Sequence, residues 1–188
     1  MWGECSSVGR VPNCDFGGHG FKPHHSPQRF IVWSLKMRGV IVAITLVASS
    51  TWVMADEVKC LAQNIYWEAR NQSIQGMYAV ADVTLNRVKD KRWPGTVCEV
   101  VKQRKNAGGR WICQFSWFCD GLSDTPKSSD LSTFNLCAMI AYVRLKNKDS
   151  PVLPRNIYWY HANTVNPYWA DAYSHHATIG DHRFYSEN

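Results

Sequence analysis

The segment NIYWEARNQS, Asn64 to Ser73, sets one carboxylate, Glu68, among aromatic and aliphatic neighbours. On a helix, Leu61, Ile65 and Glu68 share one face, since they lie four and then three residues apart. An apolar stripe that ends in a glutamate either reaches the surface there, with Glu68 paired to Arg70 or a nearby lysine, or holds an acid at the floor of a cleft. The second case is chemically useful. An apolar wall disfavours the charged form of a carboxyl and raises its pKa, and an acid protonated near neutral pH can protonate the leaving oxygen of a glycosidic bond.

Most glycosidases pair the acid with a second carboxylate as nucleophile or base. The candidates are Asp82, Asp120, Asp171 and Asp181. Asp120 and Asp181 precede or follow glycine at turns, and Asp82 reads as a solvent-facing helix residue. None has a setting like that of Glu68, so a single-acid mechanism fits better. In it Glu68 protonates the bridging oxygen, then acts as base while a hydroxyl of the same sugar attacks C1.

The elements that position Glu68 follow from periodicity and caps. Glu57 to Ala69 reads as a helix, and Asn71-Gln72-Ser73 as a break with Ser73 as N-cap of a buried helix over Ile74 to Val88. Thr96-Val97-Cys98-Glu99 is a capping box opening a short helix to about Gln103. RKNAGGR reads as a flexible, solvated connection. WICQFSWFCDG is a strand or extended loop turning at Asp120-Gly121, and polar loop follows to Ser129. A helix over Asp130 to Lys146, a strand in NIYWYHAN, a loop or single helical turn in NPYWADAYSHH, and a hairpin in ATIGDHRFY with Gly180-Asp181 at its turn complete the chain. Helices first, then short strands and aromatic loops, make a small single α+β domain.

Ahead of that domain, Met37 opens a basic residue, an apolar run and small residues up to Ala55, the layout of a secretory signal. Residues 1–36 show no periodicity and read as an upstream or disordered segment. The domain then spans 56–188, and its product is exported, without a stable membrane span after the signal is removed. Its net charge is +3, against +6 for the whole chain, and it has no run of basic residues or nucleic-acid motif, which argues against a nucleic-acid partner. Five cysteines fall in it: Cys60, Cys98, Cys113, Cys119 and Cys137. An odd number leaves one thiol over. Cys137 lies on an apolar helix face and is the expected spare, and a Cys98–Cys113 bridge is one possible pairing. No CxxC spacing supports a structural zinc or redox site.

Trp93, Trp111, Trp117, Tyr158, Trp159, Tyr160, Tyr168, Trp169, Tyr173 and Tyr185 cluster in loops and strand ends. Half of them fill a core on any reading. The rest, interleaved with Asn, Gln and hydroxyls, suit a cleft that stacks on sugar faces and bonds their polar rims.

Five blocks occur in order: CLAQNIYWEARNQSIQGMYAVADVTLNRV, WPGTVCEVV, CQFSWFCDG, YHANTVNPYWA and TIGDHRFY. Together they resemble the SleB-type cell wall hydrolases, the spore-cortex-lytic enzymes and their relatives, from about Cys60 to Tyr185. Trp67 stands where relatives often carry Phe or Tyr, and Asn71 where Gly is expected. The resemblance implies a lysozyme-like catalytic domain that cuts peptidoglycan glycan strands without metal or cofactor. It places the catalytic acid at Glu68 and makes lytic transglycosylation between N-acetylmuramic acid and N-acetylglucosamine the expected reaction. Tyr66, Arg70, Gln114, Phe115, Ser116, His161, Asn163, Trp169 and Tyr185 are the expected substrate-binding residues. Three rivals stand beside it. A zinc amidase would draw on His161, His175, His176 and His182, which lack a metal-ligand spacing. A non-catalytic glycan-binding module would use the aromatics alone, and a Cys–His peptidase would need a thiol with a basic partner.

Overall fold

A computed structural model describes residues 41–147 and 150–187, with side chains from Val53 onward. Residues 1–36 and the first part of the expected signal segment lie outside it. Four helices come with two antiparallel sheets: α1 (Ile41–Ala69), α2 (Ile74–Lys89), α3 (Val97–Val101), β1 (Arg104–Ala107), β2 (Arg110–Cys113), α4 (Leu131–Lys146), β3 (Ile157–Ala162), β4 (Ser174–Ile179) and β5 (His182–Ser186). Single 3-10 turns cover Ser116–Phe118, Ser128–Asp130 and Ala170–Ala172. The helix expected over Glu57–Ala69 is the last part of α1, which runs unbroken from Ile41 through all but the first four residues of the expected signal segment. Among the described residues no helix is long and apolar enough to cross a membrane.

The α+β order is the expected one, and the caps sit where the sequence puts them. The Ser73 hydroxyl accepts from the Gly76 amide at 3.2 Å. The Thr96 hydroxyl accepts from the Glu99 amide at 3.2 Å and donates to the Glu99 carboxylate at 2.7 Å. The core lies among α1, α2, α3 and α4 and takes in Tyr160 and Phe184 from the three-stranded sheet, whose order is β3-β5-β4.

Three expectations about the elements change. RKNAGGR is not a loose connection: Arg104–Ala107 pairs with Arg110–Cys113, and Ala107 faces Arg110 across Gly108-Gly109. Both glycines have positive φ, 61° and 87°, as a two-residue turn matched to strand twist requires. His175-His176 is not loop but the start of β4, paired with β5. Asp82 does not face solvent. It is 1 % exposed and accepts from Arg144 Nε at 2.8 Å and from the Val152 and Leu153 amides at 2.6 and 3.1 Å.

The disulfides are Cys60–Cys98 and Cys113–Cys119, with Cα separations of 5.2 and 5.9 Å, so the pairing Cys98–Cys113 does not occur. Packing explains the exchange. α3 lies against α1, which turns Cys98 toward Cys60, while Cys113 and Cys119 close the short loop around the first 3-10 turn. Cys137 is the free thiol, buried on α4, and burial pushes its pKa up to about 11.

Candidate active site

Glu68 lies near the C-terminal end of α1, below Leu61 and Ile65, both fully buried, and is itself 2 % exposed. Its Oε2 accepts a hydrogen bond from the Tyr160 hydroxyl at 3.0 Å, and its Oε1 has no partner. Removal from water raises the carboxyl to about 7, against the opposing pulls of the Tyr160 hydrogen bond and the Arg87 charge. Desolvation wins because two modest stabilisers cannot replace the solvation of a carboxylate. Such a group is about half protonated at neutral pH, able both to give a proton and to take one back.

Tyr160 and Arg87 are the residues that sequence reasoning missed. Tyr160 reads as one aromatic among many, and His161 beside it looks like the better orienting group. Strand geometry reverses that choice, because successive side chains on β3 point to opposite faces. Tyr160 turns to the helices and packs with Phe184 and His182 at centroid distances of 5.6 and 5.4 Å. His161 turns the other way. Its Nδ1 donates to the Ala162 carbonyl at 2.8 Å, its Nε2 shares a 2.8 Å hydrogen bond with the Tyr185 hydroxyl, and its ring stacks on Tyr185. His161 therefore does not orient the acid. Arg87 is fully buried on α2, where an arginine in an apolar stretch is the available signal. Its Nε and Nη2 both donate to the Tyr158 carbonyl, at 2.9 and 2.6 Å, and its Nη1 has no partner.

The Tyr160 contact predicts a measurable shift. Tyr160→Phe removes a bond that favours the charged carboxylate, so the Glu68 carboxyl rises further and the alkaline limb of activity moves to higher pH. The cost in stability should be about 1 kcal/mol. A pH–rate profile with the alkaline limb unmoved would show that the limb belongs to another group.

The other expected site residues divide by location. Tyr66 and Arg70 belong to a different side of α1, since two residues span about 200° of helix. The Tyr66 ring is fully buried against Trp67 and Phe134, with its hydroxyl donating to Asp130 at 2.9 Å. Arg70 lies over the Tyr66 and Trp67 rings and 3.9 Å from Asp130. Both lie away from the Glu68 face of the helix, and Arg70 pairs with Asp130 rather than with Glu68. Asn163 clamps the β4–β5 turn, its amide donating to the Gly180 carbonyl and its Oδ1 accepting from Arg183, each at 3.2 Å.

Trp169, Tyr185 and His161 do come together, in an aromatic cluster with Trp159 and Tyr173 on the face of β3 away from Tyr160. Phe115 is fully buried beneath the Arg87 guanidinium, 5.3 Å from ring centre to Cζ. Ser116 opens the 3-10 turn behind it. Gln114 helps line a pocket of about 190 Å³ beside Trp159 and Tyr173. A larger groove of about 660 Å³ runs along the earlier part of α1 past Gln63, Trp117 and Phe118, and Glu68 is not in its lining.

The remaining carboxylates have other employment. Asp120 accepts from the Leu122 amide at 2.9 Å, Asp181 accepts from Gln72 at 3.0 Å, and Asp171 is exposed on a 3-10 turn. His175 bonds Thr178 at 3.0 Å, and among the described residues no three His, Cys, Asp or Glu side chains gather as metal ligands.

A family description, Cell Wall Hydrolase, matches residues 71–185, more than half of the sequence. The chain belongs to the cell wall hydrolase family. The matched stretch of this cell wall hydrolase takes in Arg87, the β1–β2 hairpin, the aromatic cluster and Tyr160, and begins three residues after Glu68. Among solved structures it is similar to the catalytic domain of the germination-specific lytic transglycosylase SleB from Bacillus anthracis, with 23 % identity and a TM-score of 0.51. That match covers 69 % of this chain and 93 % of the other. The catalytic domain of the Bacillus cereus SleB protein is also similar, at 22 % identity and a TM-score of 0.48, over 70 % of this chain and 91 % of that one. The first of these likenesses shows a shared fold. No curated protein sequence matches this cell wall hydrolase.

Proposed function

We propose that this cell wall hydrolase is an exported lytic transglycosylase that cleaves the glycosidic bond between N-acetylmuramic acid and N-acetylglucosamine, with Glu68 as its single acid and base. The observation that carries the reading is the state of Glu68: buried, hydrogen-bonded by Tyr160 through one oxygen, and lifted to about 7. The Bacillus anthracis protein whose fold this chain shares is a lytic transglycosylase. Two disulfides suit an exported product.

In the first step the protonated carboxyl gives its proton to the bridging oxygen as the bond from C1 to that oxygen breaks. In the second the carboxylate takes the proton of the muramic acid C6 hydroxyl as O6 bonds to C1. No water is consumed and the glutamic acid is restored. The low exposure of Glu68 favours this course over hydrolysis. A strand that reaches the carboxyl must part the side chains covering it, so the acid is uncovered by substrate rather than by solvent.

Digestion of purified sacculi with the protein, followed by mass spectrometry, tests the reaction. The expected products are anhydro-muropeptides, one water lighter than hydrolysed ones. Products that are entirely reducing sugars would require a second carboxylate and a bound water. Peptides freed from intact glycan would make the enzyme an amidase.

A further inference from the structure

The charge of the domain is unevenly placed. Residues 56–188 hold 16 lysines and arginines against 13 acids, yet Val100 to Cys119 contains four cations and no acid. These are Lys102, Arg104, Lys105 and Arg110, at the foot and in the strands of the β1–β2 hairpin. Without them the domain has 12 cations against 13 acids, so this one element carries its whole positive surplus.

The register sets the faces of the hairpin. Arg104 pairs with Cys113 and Asn106 with Trp111, so these four side chains share one side. The Arg104 guanidinium lies 4.4 Å from the Trp111 ring centre and 5.8 Å from that of Phe118. Trp111 is nonetheless 49 % exposed, and Lys102, Arg104 and Arg110 are exposed as well. The hairpin packs chiefly on the 3-10 turn that holds Phe118, and the Cys113–Cys119 disulfide fastens it there. Glu99, the acid that precedes it in sequence, takes the Thr96 hydroxyl at 2.7 Å. What stands out from the body is a basic element with a half-bare indole.

That combination fits a lipid surface better than a bare polyanion. Cations meet phosphate headgroups, and tryptophan settles at the level where headgroups give way to acyl chains. A charged polymer attracts the cations but offers Trp111 no apolar medium. Position agrees. Phe118 lines the 660 Å³ groove together with Lys102 and Val53 of α1, and the apolar run Ile41 to Val47 lies further up that same helix. Asp56, Glu57 and Asp124 line the groove too, so the positive surface is the hairpin and not the groove. We propose that the β1–β2 hairpin docks the domain on an anionic phospholipid surface, with Lys102, Arg104 and Arg110 at the phosphates and Trp111 at the headgroup level. Docking of this kind is independent of the chemistry at Glu68.

Vesicle binding of the full chain tests it. One set of vesicles is phosphatidylcholine alone, and in the other a third of the lipid is phosphatidylglycerol. The apolar run Ile41 to Val47 can enter both, so the readout is the ratio of the two affinities, measured by co-sedimentation. At low salt the anionic vesicles should bind about a hundredfold tighter, at roughly fivefold for each exposed cation. The ratio should shrink as salt rises. Changing Lys102→Gln, Arg104→Gln and Arg110→Gln together should bring it to within about fivefold of unity. Trp111→Ala should weaken binding to the anionic vesicles by about tenfold. Thermal unfolding checks that these surface variants are folded. Equal affinity of wild type for both vesicles, an undiminished ratio in the triple variant, or wild-type binding by Trp111→Ala overturns the docking. Lysis of purified sacculi, which hold no lipid, should be unchanged in the triple variant. Its loss there would assign the hairpin to the wall and overturn the docking as well.

Discussion

Glu68→Gln is expected to lose wall lysis by two to four orders of magnitude, the usual worth of a positioned general acid–base. A variant that cleared sacculi at the wild-type rate would end the single-acid mechanism. The same variant should respond differently to pH in its stability. The Glu68 carboxyl sits at about 7 when folded and near its ordinary 4.5 when unfolded. Between those values the folded chain holds a proton that the unfolded chain has released, so stability falls as pH rises through that window. The difference amounts to about 3 kcal/mol for a fully buried group. Wild type should therefore lose about that much between pH 4 and pH 8, while Glu68→Gln, with no proton to lose there, should not. Denaturant unfolding at the two pH values measures it. Parallel losses in both proteins would mean that the carboxyl is better solvated than its burial indicates.

The second large effect lies away from the chemistry. Arg144 and Asp82 form an ion pair with exposures of 5 % and 1 %, and the Nη2–Oδ1 distance is 2.5 Å. Arg144 also donates to the carbonyls of Asn147 and Ser150 at 3.0 Å each, and Asp82 takes the Val152 and Leu153 amides. Arg144→Met strands a buried carboxylate and two carbonyls. The expected cost is about 3–5 kcal/mol, or a fall of roughly 10–20 °C in melting temperature. Replacing both partners with leucine should recover only part of this, because the backbone groups of the 150–153 segment would still lack partners. Full recovery would mean that those groups find water instead. Thermal unfolding of the single and double variants decides between the two.

How much of this was legible from residues depends on what kind of fact is asked for. The setting of Glu68 was half legible: an apolar helical stripe that ends in a carboxylate leaves either a surface end or a buried acid, and the packing makes it the second. Its partner was not. β3 is buried on nearly every residue, so alternation of polar and apolar types does not say which of Tyr160 and His161 faces the helices. Arg87 and Asp82 were hidden by the opposite habit, since charged side chains on a helix are usually solvated, and only the packing of α2 against its neighbours reverses that. The β1–β2 hairpin has mostly exposed strands with no apolar face to announce them, and Gly108-Gly109 was its one mark. The cysteine pairing depends on which helices touch, a property of the whole fold rather than of spacing. Tyr66 and Arg70 were grouped with Glu68 by nearness in sequence, and the turn of the helix separates them.

The bridge from Cys60 to Cys98 ties the helix that carries the acid to its neighbour α3. In a reducing cytosol such a bond does not persist, and it forms only once a chain has crossed into oxidising surroundings. The scaffold around Glu68 is thus least secure in reducing surroundings and firmest where thiols are oxidised.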